Sequence, residues 1–137
     1  MSASSNAVTP PAPAIVRSLL WIDCSGALVV GVLMFGLSEW LARLYQFPLP
    51  LYYAVAAANC AYGTFSLALA MSKRRPVRLI ALLALANAGW GVVCVIAAVT
   101  LVGRASVFGQ LHLLAECAVV VWLARLEWRY RATIASP

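Results

Sequence analysis

A chain of 137 residues that is 64% hydrophobic and only 10% charged has too little charge to stay dissolved as a globular domain. Its mean hydropathy of +0.92 makes lipid its solvent. Each spanning helix takes roughly 20 apolar residues, so four helices with short connections leave no room for an extramembrane domain.

The net charge of +6 does not point to nucleic acid, because the basic residues stand at the ends of the hydrophobic runs, where topology is decided. With the N-terminus inside, the inner positions hold Arg17, Lys73, Arg74, Arg75, Arg78, Arg125, Arg129 and Arg131. Only Arg43 and Arg104 fall outside. This bias predicts a multi-pass protein of a bacterial inner membrane with both termini cytoplasmic, and it disfavours dual topology.

Residues 1–14 are rich in Ser, Pro and Ala and include Pro10, Pro11 and Pro13, so they read as a disordered tail. No basic n-region opens the chain, and the apolar run from Ile15 to beyond Leu37 exceeds the roughly 7 to 15 residues of a secretory signal. It is therefore a membrane helix. The transmembrane domain is expected over 15–130, with spans at about 15–38, 51–72, 79–102 and 107–128 and a cytoplasmic tail at 131–137.

The stretch from Ser38 to Tyr45 continues segment one as an amphipathic turn, with Glu39 and Arg43 spaced i,i+4 as a surface pair. Trp40 and Tyr45 suit an interfacial collar. Pro48 and Pro50 break the helix before segment two begins near Leu51, and segment two ends at the basic loop Lys73, Arg74, Arg75, Pro76. Gly103 and Arg104 form a tight turn between segments three and four, and Trp122, Trp128 and Tyr130 anchor the last helix. The fold class is all-α, an up-down-up-down bundle of four transmembrane helices. Laid over one another, the two hairpins read as repeated units: Asp23 aligns with Asn87, and Asn59-Cys60-Ala61 with Glu116-Cys117-Ala118. A repeat about an axis along the membrane normal brings matched polar residues together.

Ionisable residues inside a bilayer are costly unless paired or facing a cavity, which singles out Asp23 and Glu116. Helical spacing places Asn59, Tyr62, Gly63 and Ser66 on one face of segment two, and Asn87, Trp90, Gly91 and Cys94 on one face of segment three. His112 and Glu116 are i,i+4 neighbours in segment four. The candidate site for substrate or proton is therefore Asp23, Asn59, Tyr62, Asn87, Trp90, His112 and Glu116. A seam of amides and small residues serves equally to pack helices, but two carboxyls and a His are costly glue where neutral amides suffice. Asp23 and Glu116 are candidate reversible proton carriers.

His112 and Glu116 have the spacing of a metal pair, yet no tight motif supplies further ligands, so no metal and no cofactor is expected. Cys24, Cys60, Cys94 and Cys117 fall one per segment with no C-x-x-C pair. They read as small packing residues, which argues against a quinone-coupled thiol oxidase.

The order of Asp23, Asn59-x-x-Tyr62 and Asn87-x-x-Trp90 resembles small bacterial four-helix integral membrane proteins of unassigned function, a resemblance that implies no activity. In length, helix number and a carboxylate in the first helix, the chain is also similar to the small multidrug resistance transporters. That resemblance implies a shared proton and cation site at Asp23. The family normally has Glu there and no counterpart of Glu116, and its antiparallel assembly conflicts with the charge bias.

These readings give a small polytopic protein acting as an oligomer with itself or as a subunit with another membrane protein. The alternatives are a proton-coupled carrier of a small amphipathic or cationic solute held in the bundle by Asp23 and Glu116, and a membrane-embedded enzyme on lipid or quinone using His112 beside Glu116.

Overall fold

The computed structural model describes residues 14–135. The tail expected over 1–14 lies outside these but for Ala14, as do residues 136–137. The described chain is all-helical: α1 (Ala14–Gly36), α2 (Ser38–Tyr45), α3 (Leu49–Met71), α4 (Val77–Thr100) and α5 (Val107–Ile134). All but α2 are long and apolar enough to cross a bilayer, so by length and composition this is a multi-pass membrane protein.

The helix ends follow local chemistry. Pro50 does not break the chain as expected; it lies in the first turn of α3, behind Pro48 as N-cap, where a missing N–H costs nothing. Pro76 is the N-cap of α4, as Pro48 is of α3. The C-terminus of α3 is held by Arg75, whose Nη2 donates to the Ala70 carbonyl at 2.7 Å and Nε to that of Ser72 at 3.2 Å. At Gly103 the turn requires a left-handed backbone (φ 76°), which glycine adopts without strain. The last helix runs to Ile134, past the expected boundary at 128, because nothing between 129 and 134 breaks a helix. Glu39 and Arg43 make no ion pair, in keeping with the small gain from exposed pairs.

Ser106 ties two elements together. Its Oγ accepts from the Gly109 N–H at 3.1 Å as N-cap of α5 and donates to the Leu44 carbonyl at 2.7 Å. Its own N–H donates to the Tyr45 carbonyl at 3.0 Å. Ser106→Ala is expected to lower stability by about 1 kcal/mol, measurable as a fall in the thermal unfolding midpoint in detergent.

Packing is pairwise: α1 lies along α3 and α4 along α5, while α1 and α5 touch over a much shorter stretch. The pairs join at two places. Near the Arg-rich loop an aliphatic core unites Leu19, Leu20 and Cys24 of α1 with Leu69, Ile80, Leu83 and Leu123. At the opposite end Met34, Tyr52 and Ala56 pack with Tyr45 and Phe47, and these two in turn meet α5, Tyr45 at His112 and both at Gly109. Between these plugs the two pairs stand apart.

Candidate functional site

The gap between the pairs is a cavity of about 540 Å³, and all seven candidate residues line it. From α1 comes Asp23, from α3 Asn59 and Tyr62, from α4 Asn87 and Trp90, and from α5 His112 and Glu116. The rest of the wall is apolar, built of residues such as Ala27, Val30, Ala86 and Val120, and it contains no Lys or Arg. Its open side lies beside Ile22, Val119 and Trp122, each roughly half exposed. Gly26 also lines it, and a Cβ there would meet nothing within 4 Å.

The seven residues do not form one cluster. The polar groups of six of them divide into two separate hydrogen-bonded sets. In the first, Asp23 is 3% exposed and accepts three side-chain hydrogen bonds. The Tyr62 hydroxyl and the Ser66 hydroxyl each donate to Oδ2 at 2.7 Å. Asn87 Nδ2 donates to Oδ1 at 3.3 Å. That same nitrogen donates to Glu127 Oε2 at 3.1 Å, so one amide bridges two carboxyl groups.

The second set centres on Glu116. Trp90 Nε1 donates to Oε1 at 2.7 Å, and His112 Nε2 stands 3.3 Å from Oε2. The His112 ring stacks on Tyr45, with centroids 5.1 Å apart, which fixes it at the α2 end. Trp90, His112 and Glu116 also line a smaller cavity of about 60 Å³ toward Tyr52. They form the wall between the two spaces. The buried Tyr52 hydroxyl, which lines the smaller one, has no hydrogen-bond partner.

Asn59 joins neither set, since its Nδ2 donates to the carbonyl of Val55 in its own helix at 3.1 Å. Its role at the cavity is that of a polar wall.

Sequence reading missed Glu127, the one charged residue among those described that is completely buried (0% exposed). Flanked by Arg125, Trp128 and Arg129, it looks like part of an interfacial collar. The signal was helical phase: Glu127 follows Glu116 by 127 − 116 = 11 positions, about three turns, so it faces the same way as Glu116 and Leu123. Ser66 stood on the polar face of segment two, and only the fold shows its hydroxyl committed to Asp23.

The four cysteines are free. Cys60 Sγ sits against Gly31, and Cys117 lies near Gly91 and donates to its carbonyl at 3.5 Å, so both occupy helix contacts. No group of three or more His, Cys, Asp or Glu able to hold a metal occurs among the described residues. No family model, curated protein or solved structure matches this chain, so its chemistry is read from the site itself.

Proposed function

We propose that this chain binds a small amphipathic cation within the bundle and carries it across the membrane, with Asp23 and Glu116 supplying the counter-charge. The observation that carries this reading is the union of apolar walls and two carboxyls, with no Lys or Arg, in one cavity of about 540 Å³. That volume is typical of small-molecule sites. The ring faces of Tyr62 and Trp90 add favourable surface for a positive charge. Release follows when a proton moves onto a carboxylate and the solute cation leaves, so charge balances at each step.

The topology that suits this role is an up-down-up-down bundle in a bacterial inner membrane with both termini cytoplasmic, supported by the distribution of basic residues. A construction from two hairpins is supported by the pairing of α1 with α3 and α4 with α5, and by the hydrogen bond between Asp23 and Asn87. The contacts of Gly31 with Cys60 and of Gly91 with Cys117 recur in the two pairs. The cavity's open flank at Ile22, Val119 and Trp122 favours a second reading in addition, in which another copy or a partner protein closes the mouth.

The test uses tetraphenylphosphonium and tetraphenylborate, ions of matched shape and opposite charge, titrated into the detergent-purified protein while tryptophan fluorescence and particle mass are followed. Saturable binding of the cation is expected, weakened at least about ten-fold, or 1.4 kcal/mol, by Gly26→Phe, which fills open space. Equal affinity for the anion, or unchanged binding in Gly26→Phe, removes the reading. A mass of one chain in the cation-bound particle removes the closing partner.

A further inference from the structure

The carboxyl pair behind the cavity has a chemistry of its own. Asp23 and Glu127 are joined through one amide nitrogen, in a setting where Asp23, Asn87, Ser66 and Glu127 are all less than 5% exposed. Among the described side chains no Lys, Arg or His hydrogen-bonds to either carboxyl. Two carboxylates facing one another in a dry interior repel strongly unless positive charge is supplied.

Hydrogen-bond accounting sharpens the point. Asp23 is fully engaged by Tyr62, Ser66 and Asn87. Glu127 Oε2 is engaged by Asn87, but Glu127 Oε1, wholly buried, has no partner at all. If that oxygen is anionic, it has no donor. If it carries the proton, the resulting O–H has no acceptor. Moving a proton therefore leaves the position one partner short, whereas a cation satisfies it.

We infer that Asp23, Glu127, Asn87, Ser66 and Tyr62 form a binding site for a small monovalent metal cation, sodium. The five side chains bring oxygen atoms of three kinds, carboxylate, hydroxyl and amide, the donor set that hard cations take. The amide of Asn87 turned over presents Oδ1 instead of Nδ2 between the carboxylates. It then becomes a neutral ligand to the ion rather than a hydrogen-bond bridge. Glu127 lines neither cavity, so a polyatomic ion has no room beside it. Magnesium is disfavoured because it keeps several waters, for which so closed a position has no room. Asp23, Tyr62 and Asn87 belong both to this site and to the cavity wall, so an ion here lies directly behind any solute. The inference stands apart from the solute reading, because the ion can bind to an empty cavity.

The experiment is thermal unfolding of the full chain in detergent at fixed pH and about 0.15 M ionic strength, with sodium chloride exchanged for choline chloride. Sodium is expected to raise the midpoint by several degrees, saturably, in the unaltered protein and in Glu116→Gln. The shift disappears in Glu127→Gln. Should that variant fail to fold, Ser66→Ala keeps both carboxyls, and its sodium titration should move to at least ten-fold higher concentration. Equal midpoints in sodium and choline overturn the site, as does a shift that survives in Glu127→Gln or, in its place, an unmoved titration in Ser66→Ala. Stabilisation by acidification with no sodium dependence assigns the pair to a proton, and stabilisation by calcium or magnesium but not sodium also overturns the assignment. Since Glu116→Gln and Gly26→Phe alter the cavity and not this site, failure of sodium binding is distinguishable from failure of solute binding.

Discussion

Asp23→Leu is expected to destabilise the fold by about 3 kcal/mol, roughly 1 kcal/mol for each buried donor left without an acceptor. The donors are the hydroxyls of Tyr62 and Ser66 and the amide of Asn87. They come from two helices, α3 and α4, so the substitution loosens the contact of α1 with both. One effect opposes this: removing Asp23 ends its repulsion with Glu127. The donors win because the leucine offers them nothing and the surrounding core near Leu19 and Leu83 excludes water.

Asp23→Asn separates the two effects. Its Oδ1 still accepts from Tyr62 and Ser66, but its Nδ2 meets the nitrogen of Asn87, so one interaction is lost and the facing charge is gone. A cost of about 1 kcal/mol or less is expected. The measurement is the denaturant midpoint of each variant against the unaltered chain in one detergent. Equal midpoints for the Leu and Asn variants would show that the three bonds contribute little and that Asp23 is not the centre of this packing.

Much of the fold was legible because lipid imposes a strong pattern. A bilayer demands long apolar runs, and the runs around Leu51 and Leu79 could be bounded by prolines and arginines. Boundaries slipped where a residue has two uses: Pro50 breaks a helix interior but suits a first turn, and it is found in the latter place. The polar lining of the cavity was legible as membership but not as partnership. Intramembrane polarity and helical phase selected seven residues that share a cavity, yet neither could reveal that Asp23 and Glu116 stand in separate sets. That depends on how far the α1–α3 pair lies from the α4–α5 pair, a tertiary quantity. Glu127 was hidden by its neighbours: three arginines within four positions draw attention to the membrane surface, while its own phase turns it inward.

Gly31→Leu is the second large effect, expected to lower stability by about 2 to 3 kcal/mol. A Cβ at Gly31 would come to 2.6 Å from Cys60 Sγ, 3.0 Å from Cys60 N and 3.1 Å from the Ala56 carbonyl oxygen. Two of these atoms are backbone of α3 and cannot swing aside, so α1 must move away. Gly26→Ala in the same helix is the control, since its Cβ meets nothing within 4 Å. It should be neutral or gain up to about 1 kcal/mol from helix propensity. Cys60→Ala in the Gly31→Ala background should recover part of the loss by removing Sγ, but not all of it, because the backbone contacts remain. If Gly31→Leu unfolds at the same denaturant concentration as Gly26→Ala, the close crossing of α1 and α3 is not what holds the pair together. If it is lost as expected, the functional consequence follows from geometry: Asp23 lies eight positions (31 − 23) before Gly31, just over two turns. Displacing α1 there by an ångström stretches the 2.7 Å bonds to Tyr62 and Ser66, so cation binding should fall along with stability.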